Sequence, residues 1–204
     1  ILLSLALWLP GAASPAADRL AEGLPEGGAG SGGAGRAGGA PYRGHGTRYD
    51  YLPLNLFLGE GLYVHADRVG LKLDFAAAGR ADLFLAHRYE GTPLERAATV
   101  LEGMALREQG TDLGIGYRRG ALAAELLRNV DDASDGTELR LRYELERRRG
   151  TLRLWPQATL AWRSAKLNDY YYGVRAAEAS AARPAYAAGA GLNLALALYA
   201  AYPL

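Results

Sequence analysis

The sequence predicts an all-β protein, an antiparallel up-and-down transmembrane β-barrel of about ten strands, and three features carry that reading. After Pro41 the chain runs in short segments of period-two alternation with two unlike faces. Its first residues have the make-up of an export signal. Its aromatics are mostly the amphipathic kind that settle at membrane interfaces: 13 Tyr and 3 Trp against 3 Phe.

A membrane-spanning helix needs about 18 or more consecutive apolar residues. The densest apolar run, Ile1 to Leu9, is half that length and is followed by Pro10-Gly11-Ala12-Ala13-Ser14-Pro15-Ala16-Ala17. An apolar core leading into small residues is the pattern of a secretion signal and its cleavage zone, so 1–17 is expected to be a partial signal peptide. A starting Met and a basic leading region are both missing, so the sequence is expected to begin inside the signal. From Asp18 to Ala40 the chain is rich in Gly and Ala with no apolar periodicity, and most of 18–40 is expected to be flexible. The barrel domain is expected over 41–204. A phosphate-binding loop is excluded in the Gly-rich stretch, because the preceding strand and the following Gly-Lys-Ser/Thr are lacking.

Thr137 to Arg148 is the clearest strand. Leu139, Leu141, Tyr143 and Leu145 fall on one face, and Glu138, Arg140, Arg142, Glu144 and Glu146 on the other. Leu152, Leu154, Ala158, Leu160 and Trp162 alternate in the same way with Arg153, Gln157, Thr159 and Arg163, and Leu62 and Val64 with Tyr63, His65 and Asp67. Leu192, Leu194, Leu196 and Leu198 share a face opposite Asn193, Ala195 and Ala197. Apolar parity changes from even to odd between Ala66 and Leu71, which predicts a bulge or tight turn at Arg68 to Gly70. Turns are expected at Gly59-Glu60-Gly61, Arg118-Arg119-Gly120, Asp131 to Gly136 and Arg147 to Gly150. Pro93 to Arg107 permits a helix or a long loop. Alternation alone also suits a soluble sandwich; the export signal decides for lipid, where every backbone N–H and C=O must pair within the protein and antiparallel strands must close on themselves.

Composition excludes several functions. With 23 basic and 22 acidic residues, no global field recommends nucleic acid. The scarcity of lysine, Lys72 and Lys166 alone, reads as coding bias in a chain rich in Ala, Leu, Gly and Arg. The absence of cysteine removes disulfides, thiolate metal sites and cysteine nucleophiles. His45, His65 and His87 lie on separate segments without metal-ligand spacing, so no metal or cofactor is expected. Ser134, Ser164 and Ser180 are not beside a His in sequence, which leaves a lipid hydrolase as a minor alternative to a non-enzymatic protein. Asp131, Asp132 and Asp135 lack the closing Glu of a calcium loop and read as a solvated turn. Glu138, Glu144 and Glu146 with Arg140 and Arg142 suit either the lining of a conducting lumen or a charged plug of ion pairs, and with about ten strands the interior should be mostly filled by side chains.

The segment from Asn168 to Leu194 carries a run Asp169-Tyr170-Tyr171-Tyr172-Gly173-Val174, then Glu178-Ala179, then Arg183-Pro184-Ala185-Tyr186 leading into a Gly-punctuated strand. Weaker pieces are Pro41-Tyr42-Arg43-Gly44, Leu52-Pro53-Leu54, Leu101-Glu102-Gly103-Met104 and the Asp-rich turn before Gly136. Together these resemble the MipA/OmpV (MltA-interacting protein) family of Gram-negative outer-membrane proteins. The family pattern continues through a further hairpin and strand, whereas this sequence stops at Tyr202-Pro203-Leu204, so a fragment is expected. The resemblance implies an outer-membrane location, contact with outer-membrane lipid, and a scaffold role that ties a lytic transglycosylase to a murein synthase. Other members resemble adhesins or porin-like proteins. It marks Asp169, Tyr170, Tyr171, Tyr172, Gly173, Val174, Glu178, Arg183, Pro184 and Tyr186 as motif or partner-binding candidates. By position the tyrosine run falls where an interfacial girdle or loop anchor belongs; the sharper alternative is a protein-binding surface made with Arg175, Glu178 and Arg183.

Overall fold

A computed structural model describes residues 29–39, 47–65, 67–75, 78–91 and 101–201. The expected signal peptide, residues 18–28, Pro41-Tyr42-Arg43-Gly44, His45, the helix-permissive stretch as far as Val100, and the last three residues lie outside that set. Its strands are β1 (Ala29–Gly39), β2 (Thr47–Leu58), β3 (Leu62–His65), β4 (Arg68–Asp74), β5 (Arg80–Arg88), β6 (Gly110–Arg119), β7 (Leu122–Asn129), β8 (Thr137–Glu144), β9 (Arg147–Arg149), β10 (Leu152–Arg163) and β11 (Gly191–Ala201). One α-helix, α1 (Ala165–Tyr172), is present among the described residues, and no helix there is long and apolar enough to cross a membrane.

Every strand pairs antiparallel with its neighbour in the order β1-β2-β3-β4-β5-β6-β7-β8-β10-β11. β9 continues β8 in unbroken register along β10, with Gln157 opposite Glu144 and Leu154 opposite Arg147. The interruption falls at Pro156, which accepts from Leu145 N–H at 3.1 Å but has no N–H to return. The up-and-down meander therefore holds ten positions, as expected. β1 and β11 are its edges and do not pair with each other, so the sheet is an incomplete barrel.

The inner and outer faces follow the expected parity. Leu139, Leu141, Tyr143, Leu160, Trp162, Leu192, Leu194, Leu196 and Leu198 are exposed outward, while Glu138, Arg140, Arg142, Gln157, Thr159 and Arg163 are buried. The parity change after β3 comes from a tight turn, one of the two expected causes, placed before Arg68 and not at Arg68 to Gly70. His65 pairs with Arg68 across a two-residue turn, which exchanges even for odd positions, and Arg68 to Gly70 belong to β4. The glycine-rich stretch also departs from expectation: Ala29–Gly39 forms β1, paired with β2 along its whole length. Side-chain periodicity is a poor guide there, because Gly and Ala carry full backbone hydrogen-bonding capacity with little or no side chain to alternate.

Contacts across the inner face demonstrate curvature. Arg68 on β4 reaches Glu125 on β7 at 3.0 Å, and Arg88 on β5 reaches Glu138 on β8 at 2.8 Å. A flat sheet would hold strands three positions apart at roughly 14 Å. One inward rung runs Tyr63, Gly70, Phe84, Gly114, Leu127, Glu138, Arg163 from β3 to β10. Large and small residues alternate along its first part, and Tyr63, Phe84 and Leu127 with Ala86 make the apolar core. A Cβ on Gly114 would overlap the Phe84 ring, and one on Gly70 would come within 2.8 Å of Tyr63. Gly114→Ala is therefore expected to destabilise the barrel by about 1–3 kcal/mol, read as a lower urea midpoint in vesicles.

Candidate functional site

The chain has two unlike ends. At one, short turns join β2 to β3, β4 to β5, β6 to β7 and β9 to β10. At the other, longer connections follow β5 and β10, and the described part of the first, 101–109, hydrogen-bonds to the second through Glu108 and Ala105. The lumen below them is charged. Glu138, 1% exposed, receives Arg88, receives Arg140 Nε at 2.7 Å, and lies 3.5 Å from Arg163. Arg88 also pairs with Asp112 and Glu90, and Arg163 with Glu90. Lower down, Glu125 faces Arg68, Arg140 and Arg142. Ion pairs thus bridge strands that are not neighbours.

The cap begins where β10 ends. Ser164 Oγ accepts from Leu167 N–H and so caps α1, a helix whose apolar anchor Leu167 is fully buried. The same oxygen accepts from Thr137 N–H at 2.9 Å, which ties the helix to the start of β8. Asp169 Oδ1 accepts from Ala188 N–H at 3.0 Å and Asn168 Nδ2 donates to the Gly189 carbonyl at 2.9 Å, fixing the return into β11. Tyr170 Oη accepts from Glu108 N–H at 2.9 Å. Tyr172 donates to Glu90 at 3.2 Å, at the top of the lumen network. Burial, and then the neighbouring Glu90 carboxylate, push the Tyr172 phenol up to about 12, so it stays a neutral donor.

Past Gly173 the cap closes on one carboxylate. Arg107 grips Glu178 with both terminal nitrogens, at 2.9 and 2.8 Å, and also reaches the Gly173 carbonyl. Glu178 accepts in addition from the backbone N–H groups of Ala105 and Arg175, each at 3.0 Å. The Arg107 hydrogen bonds, helped by these backbone donors, hold the carboxyl at about 2. Arg183 donates to the Glu178 carbonyl at 2.6 Å and to the Glu102 carbonyl at 3.1 Å. Val174 and Tyr186 exchange both backbone hydrogen bonds.

The motif residues are thus gathered in one place, but mostly as the inside of the cap. Tyr171 is 3% exposed, and Gly173 and Glu178 are buried; Asp169, Pro184 and Tyr186 are on the surface, Tyr186 at 58%. The tyrosine run is a loop anchor facing inward, not an outward girdle, because α1 turns over the lumen instead of extending β10. Sequence reasoning passed over Arg107, Glu90, Arg88 and Asp112. Arg88 lies in step with inward Phe84 and Ala86, a period-two signal; Arg107 sits in an irregular loop and offers none.

The residues weighed for chemistry have structural employment. Ser134 Oγ accepts from Gly136 N–H, and His87 shares a hydrogen bond with Gln109. Asp131 accepts from Asn129, Thr111 and Ala133; these bonds overcome partial burial and hold its carboxyl below the usual range. No group of His, Cys, Asp or Glu suited to a metal ion occurs among the described residues.

A family model described as MltA-interacting protein MipA matches residues 31–204. The outer membrane protein Omp26La of Vibrio anguillarum is 30% identical over 112 residues, 53% of this chain and 44% of that protein. The chain thus spans less than half the length of this curated relative. No solved structure matches.

Proposed function

We propose, since this chain belongs to the MltA-interacting protein MipA family, that it is a non-enzymatic scaffold barrel linked to murein synthesis and degradation, holding a lytic transglycosylase and a murein synthase. The protein is an outer-membrane protein of a Gram-negative bacterium, of the MipA type. The observation that carries the scaffold reading is the family's own description as an interaction protein. The filled lumen supports it against the porin-like alternative, because Arg88, Glu138, Arg163 and Glu90 link across the space a solute would use.

Barrels of this class keep short turns in the periplasm and long loops outside. The cap then faces the cell exterior and the short turns face the murein. On that orientation the motif residues serve to close the barrel, and murein enzymes dock at the short-turn end. Cross-linking in intact cells followed by affinity capture is expected to enrich a lytic transglycosylase and a murein synthase over an unrelated barrel; equal recovery from both would contradict the scaffold. The same capture with Tyr171→Ala/Tyr172→Ala is expected to keep the partners while the cap loosens. Loss of the partners by a folded variant would assign docking to the motif instead. In planar bilayers the wild-type protein is expected to be silent, and stepwise conductance would favour the channel.

A further inference from the structure

We propose that Arg119, Arg147 and Arg149 form a basic strip that binds the phosphates of anionic glycerophospholipids in the leaflet at the short-turn end. Two outward rows lead to it. On β6 the row is Leu113, Ile115, Tyr117, all exposed, and then Arg119. On β8 it is Leu139, Leu141, Tyr143, and β9 continues it in the same register to exposed Arg147 and Arg149. The β6 row passes from aliphatic through tyrosine to arginine, the order of a bilayer's own depth profile, and the β8–β9 row also ends in arginine, with half-buried Leu145 between Tyr143 and Arg147. The rungs place Arg119 level with Tyr143, since Arg119 pairs with Leu122 and Leu122 with Tyr143, and Arg147 and Arg149 follow further toward the short-turn end, roughly 13 and 20 Å along the strand, so the three cover a strip of the outer face.

Parity separates these arginines from their neighbours. Arg148 and Arg153, on the other face, both bind Glu146, at 2.8 and 3.2 Å. Among the described residues no carboxylate pairs with Arg119, Arg147 or Arg149; Arg147 donates only to the Glu146 backbone carbonyl. Guanidinium groups at the lipid boundary, without protein counter-charge, match phosphate oxygens through charge-assisted and bidentate hydrogen bonds. A soluble polyanion would be met equally by the inward arginines, whereas only the outward set continues the lipid-facing rows. Outer-membrane placement is the sole premise; the murein partners play no part.

The protein in nanodiscs of mixed phosphatidylglycerol and phosphatidylcholine, with annular lipid counted by native mass spectrometry, tests this. Wild type is expected to enrich phosphatidylglycerol. Each basic side chain close to an anionic surface is worth roughly fivefold in affinity, so Arg119→Gln/Arg147→Gln/Arg149→Gln is expected to lose at least about tenfold of that preference. Arg147→Gln alone should lose a part, and Arg148→Gln/Arg153→Gln none. Millimolar inorganic phosphate should not displace the lipid. Undiminished enrichment in the triple variant, an equal loss in the inward pair, or displacement by free phosphate would each overturn the proposal.

Discussion

Glu138→Ala is expected to cost about 3–5 kcal/mol of stability, because it removes the shared carboxylate of a buried charge set and leaves Arg88, Arg140 and Arg163 with too few counter-charges in Asp112, Glu90 and Glu125. Glu138 is the point where β5, β8 and β10 meet: Arg88, Arg140 and Arg163 all converge on it, and all four side chains are largely withdrawn from water. Without the carboxylate, three guanidinium groups face one another across the curled sheet. Glu138→Gln keeps the shape and part of the hydrogen bonding and should fall between. Urea titration in vesicles checks the order: Ala lowest, Gln intermediate, wild type highest. A Glu138→Ala protein as stable as wild type would mean that water, not these side chains, fills the lumen.

The hub was partly legible in the sequence. Period-two alternation placed Glu138, Arg140 and Arg163 on the inner face, because a strand with one side in lipid and one in the lumen must segregate its side chains by parity. Which inner residues pair was not legible: Arg88 and Glu138 are 50 positions apart, and the contact exists only because the sheet curls. β1 was hidden for the opposite reason, its glycines and alanines having little to segregate. The cap motif was visible as a cluster of family residues, but not as an interior. A run of three tyrosines looks equally suited to a surface, and only α1 turning inward sets Tyr172 against Glu90 and Arg163 and buries Tyr171.

Arg107→Ala is expected to release the cap at a local cost of about 3 kcal/mol or more, since it strips a buried carboxylate of its bidentate partner. Glu178 would keep its two backbone donors but lose the charge that justifies its burial, and the 101–109 connection would lose its tie to the Gly173 carbonyl. Arg107→Lys retains the charge without the planar fork and should be intermediate. The barrel strands do not depend on this contact, so limited proteolysis within 101–109 and 174–186 should rise while heat-modifiability persists. Acid offers a second approach. Glu178 sits at about 2 in the folded protein against about 4.3 for a free glutamate, so its contribution is full above the higher value and disappears as pH falls through the lower one. Pepsin should therefore leave the cap of the wild-type protein intact at about pH 4 and cut it increasingly toward about pH 2, whereas Glu178→Gln should be cut alike at both.

The outer-membrane barrel itself is tested most directly by heat-modifiability of the protein in outer-membrane fractions. A closed, hydrogen-bonded barrel resists SDS until boiled, so for the protein as the cell makes it the unheated band should run ahead of the heated one. A single band at the same position with and without heating, from protein recovered in the soluble periplasm, would contradict it and leave a secreted β-sheet protein in its place.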